Sequence, residues 1–256
     1  MSRIPINWIV PFAGRGERTK ALGNFKPHIQ VGNQRVLEWM LLGLKKDIRK
    51  GDHLAFVTTQ FFEDHFGVKN WLSNFIKMHL EGVSVDFHFT EDTPPGPAAT
   101  ASKSFDLIPN NNPCIVVNSD QFIWFEIPKD FGSKELAFLP VYAEYSGKSS
   151  YVRIDPQGNV LEVREKQLIS QIASAGVYGF SSKQMFVDAL QWVFDNGIMR
   201  KGEYYIGPAF NHLIETGVET IATRAFLKLD LGKVTEIETF LESFNPVLSK
   251  VAWDEV

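Results

Sequence analysis

The chain has only one cysteine, Cys114, so no disulfide can close within it, and a reducing compartment is the simplest reading. Cys114 sits in the apolar run Pro113-Cys114-Ile115-Val116-Val117, where a thiol reads as a small buried hydrophobe and not as a nucleophile. Apolar runs of the ~18 residues that a membrane span needs are missing, so no membrane segment is expected. Positive charge is not in excess either. A formal net charge of −4 argues against a generic nucleic-acid binder, although it leaves a local basic pocket open. The six histidines show no metal-ligand spacing, which excludes an obvious zinc site. Repeats, low-complexity tracts and linker-like stretches are lacking as well. The N-terminal segment runs straight into Gly14-Arg15-Gly16-Glu17-Arg18, which is no cleavage site, so no signal peptide is read and a cytoplasmic location is expected.

What is present suits a globular α/β protein: 256 residues, 44% hydrophobic and 22% charged. Residues 6–12, 53–58, 83–89 and 112–118 read as strands, short and rich in β-branched or aromatic side chains. Helical spacing separates them over residues 36–44, 61–78 and 98–105. Strand and helix in alternation predict a parallel sheet covered on both faces. The second half reads as further strands over 135–143, 151–154, 160–163 and 173–180. Three helices follow: one capped by Ser181 or Ser182, one opened by Pro208 and closed by Gly217, and one over 234–244. The expected fold is a single-domain three-layer α/β/α sandwich around a mixed, mostly parallel central sheet.

Four segments carry candidate chemistry. The loop Gly14-Arg15-Gly16-Glu17-Arg18-Thr19-Lys20 leaves the carboxyl end of the first strand, where open α/β sheets gather ligands. Its glycines let backbone approach a phosphate, and Arg15, Arg18, Lys20 and the following Lys26 add positive charge. It is neither a dinucleotide fingerprint nor a Walker A loop, and a basic surface turn is the plain alternative. Asn118-Ser119-Asp120 closes the fourth strand and places a carboxylate where Mg²⁺ could bridge to phosphates, with an Asx turn as the alternative. Asp230 ends the apolar run Ala225 to Leu229 and could supply a second metal ligand, although the sequence by itself favours a cap. Glu165-Lys166 ends a strand with a point charge suited to a phosphate, or with a solvated edge residue. Trp124 and Phe125 read as packing side chains before they read as an acceptor wall.

Taken in order, these segments resemble the sugar-phosphate nucleotidyltransferase family across roughly residues 6 to 245. The resemblance rests on Ala13-Gly14-Arg15-Gly16-Glu17-Arg18, Phe25-Lys26-Pro27, Val31-Gly32-Asn33-Gln34-Arg35 and Gly96-Pro97-Ala98-Ala99-Thr100-Ala101. It continues through Asn118-Ser119-Asp120, Glu165-Lys166-Gln167, Ser174-Ala175-Gly176-Val177-Tyr178, Glu203-Tyr204-Tyr205 and Asp230-Leu231-Gly232. The chain departs from the pattern at Pro11-Phe12, at Phe25, at Lys233, and at Glu91, which stands where a base-reading glutamine is usual. It looks closest to short members of capsule and surface-polysaccharide pathways.

The resemblance implies a cytoplasmic, Mg²⁺-dependent pyrophosphorylase spanning 1–256, with a nucleotide-binding half over 1–120 and an acceptor-binding half over 121–256. Its partners would be an NTP (CTP, UTP or dTTP) and a small phosphorylated acceptor, with homo-oligomer formation left open. By the same resemblance Arg18, Lys26 and Asp120 would be catalytic, and Ala13, Gly14, Arg15, Gly16 and Gly96 would bind the nucleotide. Glu165, Lys166 and Gly176 would take the acceptor, and Asp120 and Asp230 the metal. A non-catalytic nucleotide-binding regulator and a glycosyltransferase on a similar fold are the rival readings.

Overall fold

The computed structural model of the chain describes residues 3–14 and 25–243. The first half alternates as expected. Strand β1 (Asn7–Pro11) is followed by the short hairpin β2 (Gln30–Val31) and β3 (Gln34–Arg35), then helix α1 (Val36–Leu44). Next come β4 (His53–Thr59), α2 (Gln60–Phe66), α3 (Val68–His79), β5 (Ser84–Thr90), α4 (Pro97–Ser102) and β6 (Cys114–Val117). The helix expected over 61–78 is two helices, because Gly67 takes a left-handed φ of 57° and closes α2.

The second half holds β7 (Gln121–Phe125), β8 (Leu136–Ala143), β9 (Ser150–Ile154), β10 (Val160–Glu165), β11 (Ile172–Ser174) and β12 (Val177–Phe180). Helix α5 (Lys183–Asp195) comes next, capped by Ser182, whose hydroxyl accepts from the Met185 N–H at 3.1 Å. The small hairpin β13 (Met199–Arg200) and β14 (Glu203–Tyr204) leads to α6 (Ala209–Glu215), the long β15 (Glu219–Asp230) and α7 (Val234–Ser243). The strand expected over 173–180 is broken at Ala175-Gly176 into β11 and β12.

Among the described residues eleven strands form one sheet, with main order β10-β9-β11-β8-β12-β6-β1-β4-β5. Strands β6, β1, β4 and β5 run parallel, and the sheet turns antiparallel from β12 outward. β15 lies parallel to β8 along its first part and antiparallel to β7 along its last. Alternation along each strand sorts the core into two layers. Trp8, Val10, Leu54, Phe56, Ile115 and Val117 face α1, α3 and α7; Ile9, Ala55, Cys114 and Val116 face α4, α5 and α6. Each fully buried large side chain in these layers contributes about 1.5–3 kcal/mol. Cys114 is inert in this setting: burial pushes its thiol up to about 12. Among the described residues no helix is long and apolar enough to cross a membrane.

Two contacts fix α1 against the sheet. At Gly43 an added Cβ would lie 3.1 Å from the backbone N and O of Ile123, so the helix rests directly on β7. Buried Glu38 ties the same helix down, accepting from Arg35 N at 2.6 Å and from Trp71 Nε1 at 2.6 Å.

Candidate active site

The carboxyl ends of β1 and β6, the entry of α4 and the break between β11 and β12 open into one cleft of about 1290 Å³. Such a position, outside the carboxyl ends of parallel strands, is where α/β sheets bind ligands. Ala13, Gly14, Lys26, Gly96, Asp120, Glu165, Lys166, Gly176 and Asp230 all line it. Residues scattered over more than two hundred positions of sequence are thus brought to one surface. Arg15, Gly16 and Arg18 lie outside the described residues.

The two aspartates meet through strand pairing. Asp120 immediately precedes β7 and Asp230 ends β15, with Asp230 opposite Gln121 in the antiparallel register. The Leu231 N–H donates to the Asp120 carbonyl at 2.8 Å, which locks the two strand ends together. Each carboxylate carries a lysine. Lys26 Nζ is 2.7 Å from Asp120 Oδ2, and Lys228 pairs with Asp230. Gly232 leaves space beside Asp120: a Cβ there would sit 2.9 Å from Oδ2. Its N–H donates to Glu236 Oε2 at 3.0 Å, and Glu236 also pairs with Lys233.

Among the described residues no three His, Cys, Asp or Glu side chains cluster as a metal site. Asp120 and Asp230, carried on adjoining strand ends with the side-chain-free Gly232 beside Asp120, nevertheless fit Mg²⁺, which takes one or two carboxylates and completes its octahedron with water and substrate phosphates.

The far end of the cleft is built around Glu165 and Lys166. Glu165 is largely buried and accepts from the Ser150 hydroxyl; burial raises its carboxyl above the usual range. Tyr178 lies behind it, its phenol pushed up to about 12 by burial and then by the Glu165 charge. Lys166 has a left-handed φ of 52°, unusual for a side-chain-bearing residue, and its N–H donates to the Ser149 carbonyl at 2.9 Å. That backbone turn sends the ammonium over the Tyr205 ring, 4.1 Å from its centroid, while Tyr205 donates to Glu203. Lys201, also on the cleft wall, has the same φ of 52°. Strained backbone of this kind collects at functional sites.

Two glycines are explained by close approach. Gly96 has φ 98°, and a Cβ would fall 2.6 Å from the Tyr204 carbonyl oxygen, so the backbone of β14 crosses directly over it. Gly176 has φ 75° and would drive a Cβ to 2.4 Å from Asn118 Nδ2; its carbonyl accepts from Asn118 N at 2.9 Å. Gly176 therefore holds the strand end that presents Asp120.

Trp124 and Phe125 turn into the core and do not line the cleft. Glu91 lines a neighbouring hollow of about 970 Å³ and not this one. Sequence reasoning passes over Lys228, Tyr142, Glu144, Lys148, Lys201 and Glu236, all of which line the cleft. The signal that could have found one of them is the alternation Leu227-Lys228-Leu229-Asp230, in which the lysine must share a strand face with the aspartate.

No protein-family model matches the chain, and no curated protein matches it in sequence. Solved structures do match its shape. A nucleoside-diphosphate-sugar pyrophosphorylase from Vibrio cholerae superposes with TM-score 0.79 at 19% identity, covering 92% of this chain and 100% of its own. An inositol-1-phosphate CTP transferase from T. maritima gives 0.69 at 12%, covering 95% and 99%. A UTP-bound UGPase from Acinetobacter baumannii gives 0.68 at 14%, covering 98% and 97%. At such identities the likeness establishes a shared α/β fold.

Proposed function

We propose that the chain is a nucleotidyltransferase: a phosphorylated acceptor attacks the α-phosphorus of an NTP, a new P–O bond forms, the α–β bridge breaks and pyrophosphate leaves. The observation that carries this reading is the β7–β15 pairing that brings Asp120 and Asp230 to neighbouring positions on the wall of a lysine-lined cleft. The named activities of the neighbours, which join sugar or inositol phosphates to nucleotides, support the class. Residues 1–120 supply the nucleotide half and 121–256 the acceptor half. The motif resemblance supports an activated surface-polysaccharide building block as the product.

The residue types suit this chemistry. A phosphate monoester has its second pKa near ~6, so at neutral pH it is already an anionic nucleophile and needs no general base. The protein's task is to bring two anions together in line and hold them. Lys26 reaches the α-phosphate from the turn after the glycine loop, and Arg18 takes the leaving pyrophosphate. Lys166, fixed by its left-handed turn and the Tyr205 ring, orients the acceptor phosphate. Glu165, desolvated and held by Ser150, accepts a hydroxyl of the acceptor. Asp120 and Asp230 would hold Mg²⁺, which would supply charge neutralisation.

The test is pyrophosphate release with each of four NTPs against sugar 1-phosphates, phosphocholine and phosphorylated amino-acid derivatives, with Mg²⁺ and with chelator. Chelator-sensitive release that Asp120→Ala lowers by about 10²–10³-fold is the expected result. NTP binding without turnover on any acceptor would overturn the reading in favour of a regulator.

A further inference from the structure

β15 presents Lys228 and Asp230 on the same face, two residues apart, while Leu227 and Leu229 anchor the opposite face in the core. The Lys228 side chain is only 10% exposed, whereas its partner Asp230 is 48% exposed. Its ammonium has two seats: the Asp230 carboxylate, and the ring of Tyr142, whose centroid is 4.8 Å away. Burying a lysine in a cleft beside a proposed metal ligand has a chemical consequence. An ammonium on the carboxylate repels a dication and occupies one of the two oxygens open to it.

We propose that Lys228 is a resident counter-ion that competes with the metal for Asp230, so that metal enters fully only when substrate phosphates draw the ammonium away. This rests on the nucleotidyl-transfer reading, because it takes Asp230 as a metal ligand. The four-carbon stem lets the ammonium leave the carboxylate without losing its seat on Tyr142, and brings it toward the phosphates arriving beside the metal. Lys26 stands in the same relation to Asp120, so each ligand of the pair is neutralised before substrate binds. Metal and nucleotide then bind cooperatively, since each assists in displacing the same ammonium.

The probe is Mn²⁺ alone, titrated into nucleotide-free protein with free Mn²⁺ read by electron paramagnetic resonance. Lys228→Met keeps an unbranched side chain of similar length and removes the charge; it should bind Mn²⁺ about tenfold more tightly than the native protein, equal to about 1.4 kcal/mol. Lys228→Arg should keep the weak native affinity, and adding Asp230→Asn to Lys228→Met should abolish the gain. Lys228→Gln gives the same reading if the methionine variant does not fold. Loss of a merely structural lysine would not tighten metal binding. Equal Mn²⁺ affinity in native, Met and Gln proteins overturns the counter-ion role and leaves nucleotidyl transfer standing, to be judged by pyrophosphate release. Mn²⁺ binding to none of them also overturns this inference, and the metal assignment is then decided by the chelator and Asp120→Ala arms of the pyrophosphate assay.

Discussion

A methyl group at position 232 separates the demands of the site from those of the fold. The backbone of Gly232 is outside the left-handed region, and an added Cβ would meet Asp120 Oδ2 at 2.9 Å and Glu236 Oε2 at 3.4 Å. Both neighbours are carboxylate ends, able to yield without moving backbone. To regain ordinary contact Asp120 must withdraw by about half an ångström from the position in which it now meets Lys26. Gly→Ala at a compatible backbone stabilises by about 0.4–1 kcal/mol through the unfolded state, which offsets the local crowding. Net stability of Gly232→Ala should therefore stay within about 1 kcal/mol of the native protein. Catalysis should not survive as well: a displacement of ~1 Å costs about 10²-fold, so half of that should lower kcat by about 10-fold or more. Urea unfolding and Mg²⁺-dependent pyrophosphate release, measured on the same preparation, decide the matter. Native kcat/KM and an unchanged Mg²⁺ requirement in Gly232→Ala would refute the claim that this cradle serves Asp120.

Other substitutions probe the frame around the site. Gly96→Ala and Gly176→Ala both force a side chain into positive φ against a close neighbour, and each should lose about 1–3 kcal/mol in urea unfolding. Asp52 accepts from Ile6 N at 2.9 Å, Trp8 Nε1 at 2.9 Å and Arg49 N at 3.0 Å, and pairs with Arg3; Asp52→Ala should cost about 3–5 kcal/mol by leaving them unpaired. Burial lowers the His53 imidazole below its usual 6.5, opposed by Asp86, so the unfolded chain takes up a proton that the folded one refuses. Its contribution to stability is complete above pH 6.5 and is lost as pH falls toward the depressed folded value. His28 and His79 are lowered in the same direction, so His53→Gln should flatten the acid slope of the urea midpoint in part and not entirely.

The architecture is legible in the sequence where burial alone sets the pattern. Residues 54–57 are apolar throughout and 36–44 at every position but Glu38, and they form the heart of a fully buried strand and a fully buried helix. Breaks are less legible. Gly67 and Gly176 divide elements that read as continuous, because the reason for each break lies in backbone geometry and, at Gly176, in a residue far along the chain, Asn118. β7 is not legible at all: Phe122, Ile123 and Phe125 look like packing residues of any kind until β15 pairs with them. The same pairing brings Asp230 beside Asp120, which no local pattern around Asp230 could distinguish from a cap. Lys228 is hidden for a related reason, since a lone lysine in an apolar strand reads as solvated until its strand face is known.

The pairing of β7 with β15 also sets when the site can exist. About 110 residues separate Asp120 from Asp230, a long-range closure of the kind that forms slowly. β6, which delivers Asp120, and the parallel strands beside it are complete well before β15 is made. During synthesis the chain thus carries one of the two proposed acidic ligands while β7 still lacks its partner. If these two aspartates hold the metal as proposed, divalent-metal binding would begin only with the last strand of the sheet and would report completed folding.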